Sequence, residues 1–237
     1  MRVTQLWCYP VKSLAGHRLE RAHVGELGID GDRGFGLVDL ETGLVLTARR
    51  VPELLFAVPI VDAADGAVRI KLPDGTVTGE DAVLSAWLGR RVELRRPARG
   101  ERGRYEIALN DDRPDREWIR WEGPQNVFHD SKRTRVSIVC EDAFGKWDVR
   151  RFRPNVVVAG GDERDLIGHR VRIGDAELEV AKEIDRCVIV TRPQPGLERD
   201  KDVLVEVHQQ RRGNLGAGAL VHAPGTIAVD DPVLLAS

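Results

Sequence analysis

One cysteine, Cys187, stands in a setting that suits metal binding or nucleophilic chemistry. It lies between Arg186 and an apolar, strand-like run at residues 188–190, and Lys182 is close by in the sequence. A thiolate is a soft metal ligand and a nucleophile, and neighbouring cations favour it over the thiol. The same local sequence also fits a free cysteine packed as a small hydrophobe. The choice depends on which other residues the fold brings to Cys187.

Two further segments place cations beside hydrogen-bonding side chains. The first contains Lys12 and Ser13, and the second, much later in the chain, contains Arg153 and Asn155. Lysine offers phosphate a point charge and arginine a two-pronged donor, and the asparagine amide offers one acceptor and two donors. Taken singly, these side chains also fit solvated loop charges and a turn that enters a strand. Their arrangement along the chain is therefore the stronger signal.

In their order along the chain, these motifs resemble the MOSC family, named for the C-terminal domain of molybdenum cofactor sulfurase. The most similar branch carries an N-terminal MOSC β-barrel domain and includes the mitochondrial amidoxime-reducing component and its bacterial relatives. The resemblance covers nearly the whole chain. The segments that carry it are residues 9–13, 31–33, 47–49, 152–158, 186–187 and 224–233.

The resemblance implies a molybdenum cofactor, a pterin whose dithiolene holds the metal and whose tail ends in phosphate. Cys187 matches the cysteine that supplies the metal-bound thiolate, so it is the predicted metal ligand and catalytic residue. The family is also associated with pyridoxal phosphate binding. The predicted cofactor-binding positions are Lys12, Ser13, Arg33, Arg49, Arg153 and Asn155.

The implied function is a molybdenum-dependent oxidoreductase that reduces N-hydroxylated or N-oxide-type small molecules. The sequence has no dinucleotide-binding glycine fingerprint and no cysteine set for an iron–sulfur cluster. We therefore expect electrons from a separate ferredoxin-, flavin- or cytochrome-type protein. Two alternatives stay open: a sulfur or cofactor carrier in which Cys187 holds a persulfide, and a cofactor-binding module without turnover.

Three titratable residues have roles that the sequence leaves open. His129 and Asp130 precede a predicted strand. They could orient a proton carrier, or His129 could be hydrogen-bonded within a loop. Asp185 stands close to Cys187, where relatives often carry a small residue or proline. Its charge beside a metal-bound thiolate would alter the potential or the substrate preference of the site.

Seven arginines are concentrated in residues 89–104, a segment that we call the arginine stripe. Nucleic-acid binding would require interleaved aromatic residues for stacking, and only Tyr105 is nearby. Because the chain has a net charge of −2, we expect no nucleic-acid partner. The stripe is predicted to be a solvated junction or a docking face for an acidic redox partner.

The overall composition indicates a cytoplasmic protein. The 237 residues include three widely spaced cysteines, Cys8, Cys140 and Cys187, an odd number that argues against a disulfide framework. No apolar run approaches the roughly 20 residues that span a bilayer. The N-terminus has no apolar stretch of the signal-peptide type. We therefore expect no membrane partner.

Hydrophobic periodicity predicts a mainly β (α+β) fold. Short apolar runs alternate with turn residues, as in the hairpins predicted around residues 41–43, 73–75 and 174–175. Two helices are predicted, over residues 80–88 and 200–212, each followed by a glycine.

The resemblance divides the chain into two closely packed parts. Residues 1–95 are predicted to form a smaller N-terminal MOSC β-barrel-like domain. Residues 96–237 are predicted to form a barrel-like MOSC domain with a few short helices. The polar stretch over residues 95–125, which contains several glycines and prolines, is the expected junction.

Overall fold

The computed structural model describes residues 1–108 and 117–236, which form mainly short strands, so the predicted fold class is confirmed. The first part contains β1 (Arg2–Cys8), β2 (His17–Leu19), β3 (Arg21–Gly25), β4 (Gly28–Ile29), β5 (Gly36–Asp39), β6 (Val58–Val61), β7 (Val68–Lys71), β8 (Val77–Thr78), α1 (Asp81–Leu88) and β9 (Val92–Arg95). The second part contains β10 (Arg102–Ala108), β11 (Trp118–Gln125), β12 (Val136–Cys140), β13 (Val156–Ala159), β14 (Arg170–Ile173), β15 (Ala176–Asp185), α2 (Asp202–Arg211), β16 (Asn214–Ala223), β17 (Gly225–Ala228) and β18 (Val233–Leu235).

The largest unit is an eight-stranded sheet in the order β18-β14-β15-β16-β12-β13-β1-β2. Its strands pair antiparallel except for β12 and β13, which run parallel. The pairing of β1 with β13 joins the start of the chain to its second part. One face buries a core of aliphatic side chains that includes Leu6, Ile138, Val156 and Leu178. Alternation along β14, where Val171 and Ile173 are buried and their neighbours exposed, fits a sheet with one covered face.

The first part of the chain has a core of its own. Strand β5 pairs with β9, and β6, β7 and β8 form a three-stranded sheet. Helix α1 contributes the fully buried Leu84, which joins Leu37, Leu54 and Ile70 in one apolar cluster. The helix ends at Gly89, whose left-handed backbone (φ 62°) suits a residue without a Cβ. The helix predicted here is confirmed.

The apolar run after Cys187 is not a strand. Val188–Thr191 forms a short 3₁₀ helix instead. The Thr191 hydroxyl donates to the carbonyl of Val188 at 2.9 Å, and the Arg151 guanidinium donates to the carbonyl of Val190 at 3.2 Å. Because side chains satisfy these carbonyls, the segment needs no neighbouring strand. The β-branched composition was therefore a misleading signal.

Strands β10 and β11 form a hairpin within the expected junction. Residues 109–116 of that junction lie outside the described residues, and a domain division at residue 95 stays a prediction. Within residues 1–108 and 117–236, neither helix is long and apolar enough to cross a membrane.

Candidate functional site

A single cavity of about 600 Å³ brings all seven predicted site residues together. Its volume lies within the range of small-molecule and cofactor sites. One wall comes from loops of the first part of the chain and the other from segments around β12, β13 and β15. The predicted residues among its lining are Lys12, Ser13, Arg33, Arg49, Arg153, Asn155 and Cys187.

Three of these residues adopt a left-handed backbone that non-glycine residues rarely occupy. The φ angles are 69° at Ser13, 51° at Arg33 and 53° at Arg153. Such conformations persist where surrounding contacts fix them, and they cluster at functional sites. The Ser13 hydroxyl accepts from the backbone N–H of Ala48 at 3.0 Å, and the N–H of Arg33 donates to the carbonyl of Tyr9 at 2.7 Å. The loops that present the side chains are therefore held by hydrogen bonds.

The Cys187 thiol contacts the Arg49 guanidinium from the opposite wall of the cavity. The Nε–H of Arg49 donates to Cys187 Sγ at 3.3 Å. The backbone carbonyl of Arg49 in turn accepts from the side chain of Arg192 at 3.2 Å. The sulfur therefore has a cationic hydrogen-bond donor as its neighbour. The thiol is half-buried at the end of β15 and faces the cavity, unlike the buried Cys8 and Cys140.

Lys12, Asp130 and Arg49 form a charged cluster between the two walls. The Lys12 ammonium pairs with the Asp130 carboxylate, and Nη1 of Arg49 lies 3.9 Å from the other Asp130 oxygen. Burial lowers the pKa of Lys12 to about 8 although Asp130 acts to raise it. Burial would raise the pKa of Asp130, but Lys12 and Arg49 hold it well below its usual range. Asp130 is therefore charged, and it partly compensates both cations.

Arg33 and Arg153 flank the ring of Tyr9. Their guanidinium carbons lie 5.0 Å and 4.3 Å from its centroid, within cation–π range. Arg33 also pairs with the fully buried Asp32, whereas burial lowers the pKa of Arg153 to about 10. Among the described residues, Nη2 of Arg153 and Nη2 of Arg186 are buried without a hydrogen-bond partner. Such donors are free to bind an acceptor oxygen of a ligand or of water.

Asn155 has a structural role in addition to any contact with a ligand. Its amide oxygen accepts from the backbone N–H and the hydroxyl of Ser137, at 3.2 and 3.0 Å. Its amide nitrogen donates to the carbonyl of Trp7 at 3.3 Å. The side chain thus ties β1, β12 and β13 together, with one amide N–H left to donate. Its predicted contact with a pterin stays a prediction.

His129 makes the loop hydrogen bond that was one of its two predicted alternatives. Nε2 lies 3.2 Å from the backbone carbonyl of Leu27, which can only accept, so this nitrogen carries the proton. Burial and the nearby Arg33 lower the pKa of His129 to about 3. His129 is therefore a neutral, hydrogen-bonded loop residue. Asp185 lies at the exposed rim of the cavity, with Lys182 Nζ 3.6 Å from its carboxylate.

The cavity is strongly positive although the chain is not. Nine lysines and arginines but only three carboxylates line it, in a chain of net charge −2. A cleft lined by one sign of charge attracts ligands of the other sign. Among residues 1–108 and 117–236, no group of three or more His, Cys, Asp or Glu side chains could hold a metal ion. The nine cations are Lys12, Arg33, Arg49, Lys132, Arg133, Arg151, Arg153, Lys182 and Arg186.

The sequence did not indicate every residue that shapes the site. Tyr9 and Asp32 lie inside the recognised motifs, but their contacts with the two arginines depend on the fold. Asp130 was singled out for a partnership with His129, and its partners are Lys12 and Arg49 instead. Arg186 precedes Cys187 and was noted only as a neighbouring cation. Its burial depends on contacts with Leu215 and Phe152, which are distant in the sequence.

The fold and the cavity together define a mainly β protein with a thiol and many cations lining one cavity. Residues 1–87 match the MOSC N-terminal beta barrel domain, and residues 127–234 match the MOSC domain. The chain therefore belongs to the MOSC family.

Individual relatives agree with this assignment. Mitochondrial amidoxime-reducing component 1 of Homo sapiens is 25% identical and is matched over 98% of this chain and 82% of its own length. Molybdenum cofactor sulfurase 2 of Aedes aegypti is 27% identical over 81% of this chain, which spans only 26% of that protein. The YUAD protein from Bacillus subtilis, a solved structure, superposes with a TM-score of 0.50 at 16% identity and shows the same fold. The match covers 98% of this chain and 93% of that one.

Proposed function

We propose that the protein is a molybdenum-cofactor-binding oxidoreductase that reduces N-hydroxylated or N-oxide-type small molecules. A separate electron-transfer protein would supply the electrons. One observation carries the proposal: the Cys187 thiol and a set of buried cations, including unpartnered donors of Arg153 and Arg186, converge in one cavity. The similarity to the human amidoxime-reducing component supports the reaction class.

The residues present fit the cofactor's chemical requirements. A phosphate requires cations and charge-assisted donors, which Lys12, Arg33 and Arg153 supply. Ser13 accepts from Ala48 and keeps a hydroxyl proton that it can donate. A pterin edge requires amide groups, for which Asn155 retains one N–H. When bound, the cofactor would supply two-electron redox chemistry at its metal.

Cys187 would contribute the one soft protein ligand. The Arg49 guanidinium donates to its sulfur at 3.3 Å, a contact that would equally suit a metal-bound thiolate. Arg49 comes from the first part of the chain and Cys187 from the second. Their contact therefore depends on how the two parts of the chain pack together. At the rim, Asp185 adds negative charge close to Cys187 and would influence substrate preference.

Metal analysis of protein produced in a cofactor-competent host tests this proposal. Wild-type protein should contain molybdenum equimolar with the chain and should turn over an amidoxime with an artificial electron donor. Cys187→Ala should abolish turnover and weaken or reorganise the metal site. Full molybdenum and full turnover in Cys187→Ala would show that Cys187 is not the ligand.

Cys140→Ser is the matched control, because Cys140 is buried in β12 with its thiol bonded to the carbonyl of Gly161. It should keep the metal and lose about 1–3 kcal/mol of stability. A molybdenum-free wild type carrying cyanide-labile sulfur would instead indicate a sulfur carrier. Molybdenum without turnover would indicate a binding module.

A further inference from the structure

Asp130 is the carboxylate at the point where the two walls of the cavity meet. Its partner Lys12 is 118 positions away in the sequence, and the two side chains form an ion pair across the cavity. The Arg49 guanidinium lies 3.9 Å from the second carboxylate oxygen. One carboxylate therefore lies between two cations, Lys12 and Arg49, that both belong to the first part of the chain.

Lys12 depends on this carboxylate more than an exposed lysine would. Only 5% of Lys12 is exposed, and the ring of Tyr105 lies 5.2 Å from its nitrogen. The charges that face it are two repelling cations, Arg33 and Arg49, and one attracting anion, Asp130. Burial and the two arginines disfavour the ammonium form, and Asp130 opposes them.

We propose that Asp130 is a positioning residue that holds the Lys12 ammonium beside the Arg49 guanidinium, as a preorganised site for a tetrahedral dianion. Identifying that dianion as the cofactor's phosphate rests on the proposed function, whereas the anion site itself does not. The Asp130→Asn substitution distinguishes positioning from simple charge attraction by the direction in which anion affinity changes. Simple Coulomb attraction predicts that removing a carboxylate strengthens anion binding in this cavity. Positioning by Asp130 predicts that removing it weakens binding.

Sulfate binding to the cofactor-free chain distinguishes a weakening of anion binding from a strengthening. Sulfate is the anion of a strong acid and stays a dianion at neutral and alkaline pH, so its own charge does not confound the measurement. By calorimetry, Asp130→Asn should bind sulfate about tenfold more weakly than wild type, as expected for loss of one well-placed charged hydrogen bond. Asp130→Glu should restore most of the affinity. Glu122→Gln, which neutralises an exposed carboxylate lining the same cavity, should not weaken binding.

The pH profile separates positioning from a general loss of structure. Wild-type affinity should fall as the pH rises through about 8, where Lys12 loses its proton. In Asp130→Asn the fall should begin at lower pH, because the group that raises the pKa of Lys12 is gone. Lys12→Met should abolish this pH dependence. Adding Asp130→Asn to Lys12→Met should have little further effect, because the two residues act as a pair.

Three outcomes would overturn the inference: equal or tighter sulfate binding by Asp130→Asn, an unshifted pH profile, or no sulfate binding by wild type. Circular dichroism and thermal unfolding would establish that each variant is folded. Failure of the proposed function has a different signature, namely wild-type protein that binds sulfate but never acquires molybdenum.

Discussion

The arginine stripe and the cavity use the same side chain in opposite ways. The stripe packs seven arginines into residues 89–104, yet Arg90, Arg91 and Arg99 are exposed, and Arg95 is neutralised by two 2.7 Å bonds to Glu101. The cavity collects arginines from positions far apart in the sequence, and the side chains of Arg33 and Arg49 are only 13% and 11% exposed. Density of charge along the sequence therefore does not indicate where the field is strongest.

Solvation explains the contrast. Exposed ion pairs contribute at most about 1 kcal/mol because water and salt screen them. A buried cation is costly unless it is paired, and burial lowers the pKa of Arg153 and of Arg186 to about 10 each. Such cations add little to stability, and a ligand that accepts from their unpartnered nitrogens would offset part of this cost.

The largest difference between the two regions should appear in cofactor affinity. Lys12→Ala, Arg33→Ala and Arg153→Ala should each lower it tenfold or more, because each charge-assisted bond contributes about 1.5–3 kcal/mol. Arg99→Ala, from the exposed stripe, is the matched control and should leave the affinity unchanged. Molybdenum retained after dialysis measures the effect. If all three cavity variants retained as much molybdenum as the wild type, these residues would not belong to the cofactor site.

A smaller effect, a few-fold in rate, should come from the stripe in reactions with a protein electron donor. Replacing both Arg91 and Arg99 with Gln should slow donor-driven turnover and flatten its decrease with salt, because steering depends on exposed charge. Turnover with a small-molecule reductant should not change. An unchanged donor-driven rate would exclude the stripe as the docking face.

The same assay tests the need for a separate donor. A nicotinamide cofactor alone should give no turnover in a preparation free of reductase. Activity under those conditions would point to a redox centre within the chain.

The smallest effect concerns stability. Arg95→Ala should cost up to about 1 kcal/mol in denaturant unfolding, since its partner Glu101 is only partly buried. The bond from Arg95 lowers the pKa of Glu101, so this contribution is present near neutral pH and disappears as the pH falls below about 4. A loss of several kcal/mol would mean that the stripe is a structural element rather than a solvated one.

The sequence predicted which residues line the cavity better than it predicted the contacts and backbone conformations that hold them there. Lys12, Arg153 and Cys187 were predicted together because their motifs resemble those of the MOSC family, and all three line one cavity. Short hairpins were also predictable, since turn residues such as Gly174 act locally. The strand predicted after Cys187 was wrong. The carbonyl of Val190 accepts from the side chain of Arg151, which lies far away in the sequence.

Long-range partners account for what the sequence could not reveal. No local signal pairs Asp130 with Lys12. Nor does any signal indicate a left-handed backbone at Ser13 or Arg33, since neither residue type favours it. These conformations are fixed by contacts such as the bond from Ala48 to the Ser13 hydroxyl, which exists only in the folded chain.

The pairing of β1 with β13 has a kinetic consequence. Asn155 and Trp7, which are bonded across this pairing, are 148 positions apart, so closing the sheet requires a very long loop. Pairings of high sequence separation slow folding, because the loop entropy is lost before the contacts are gained. The cavity needs this closure and should be among the last features to form. A ligand that binds there would then slow unfolding and leave the rate of refolding unchanged.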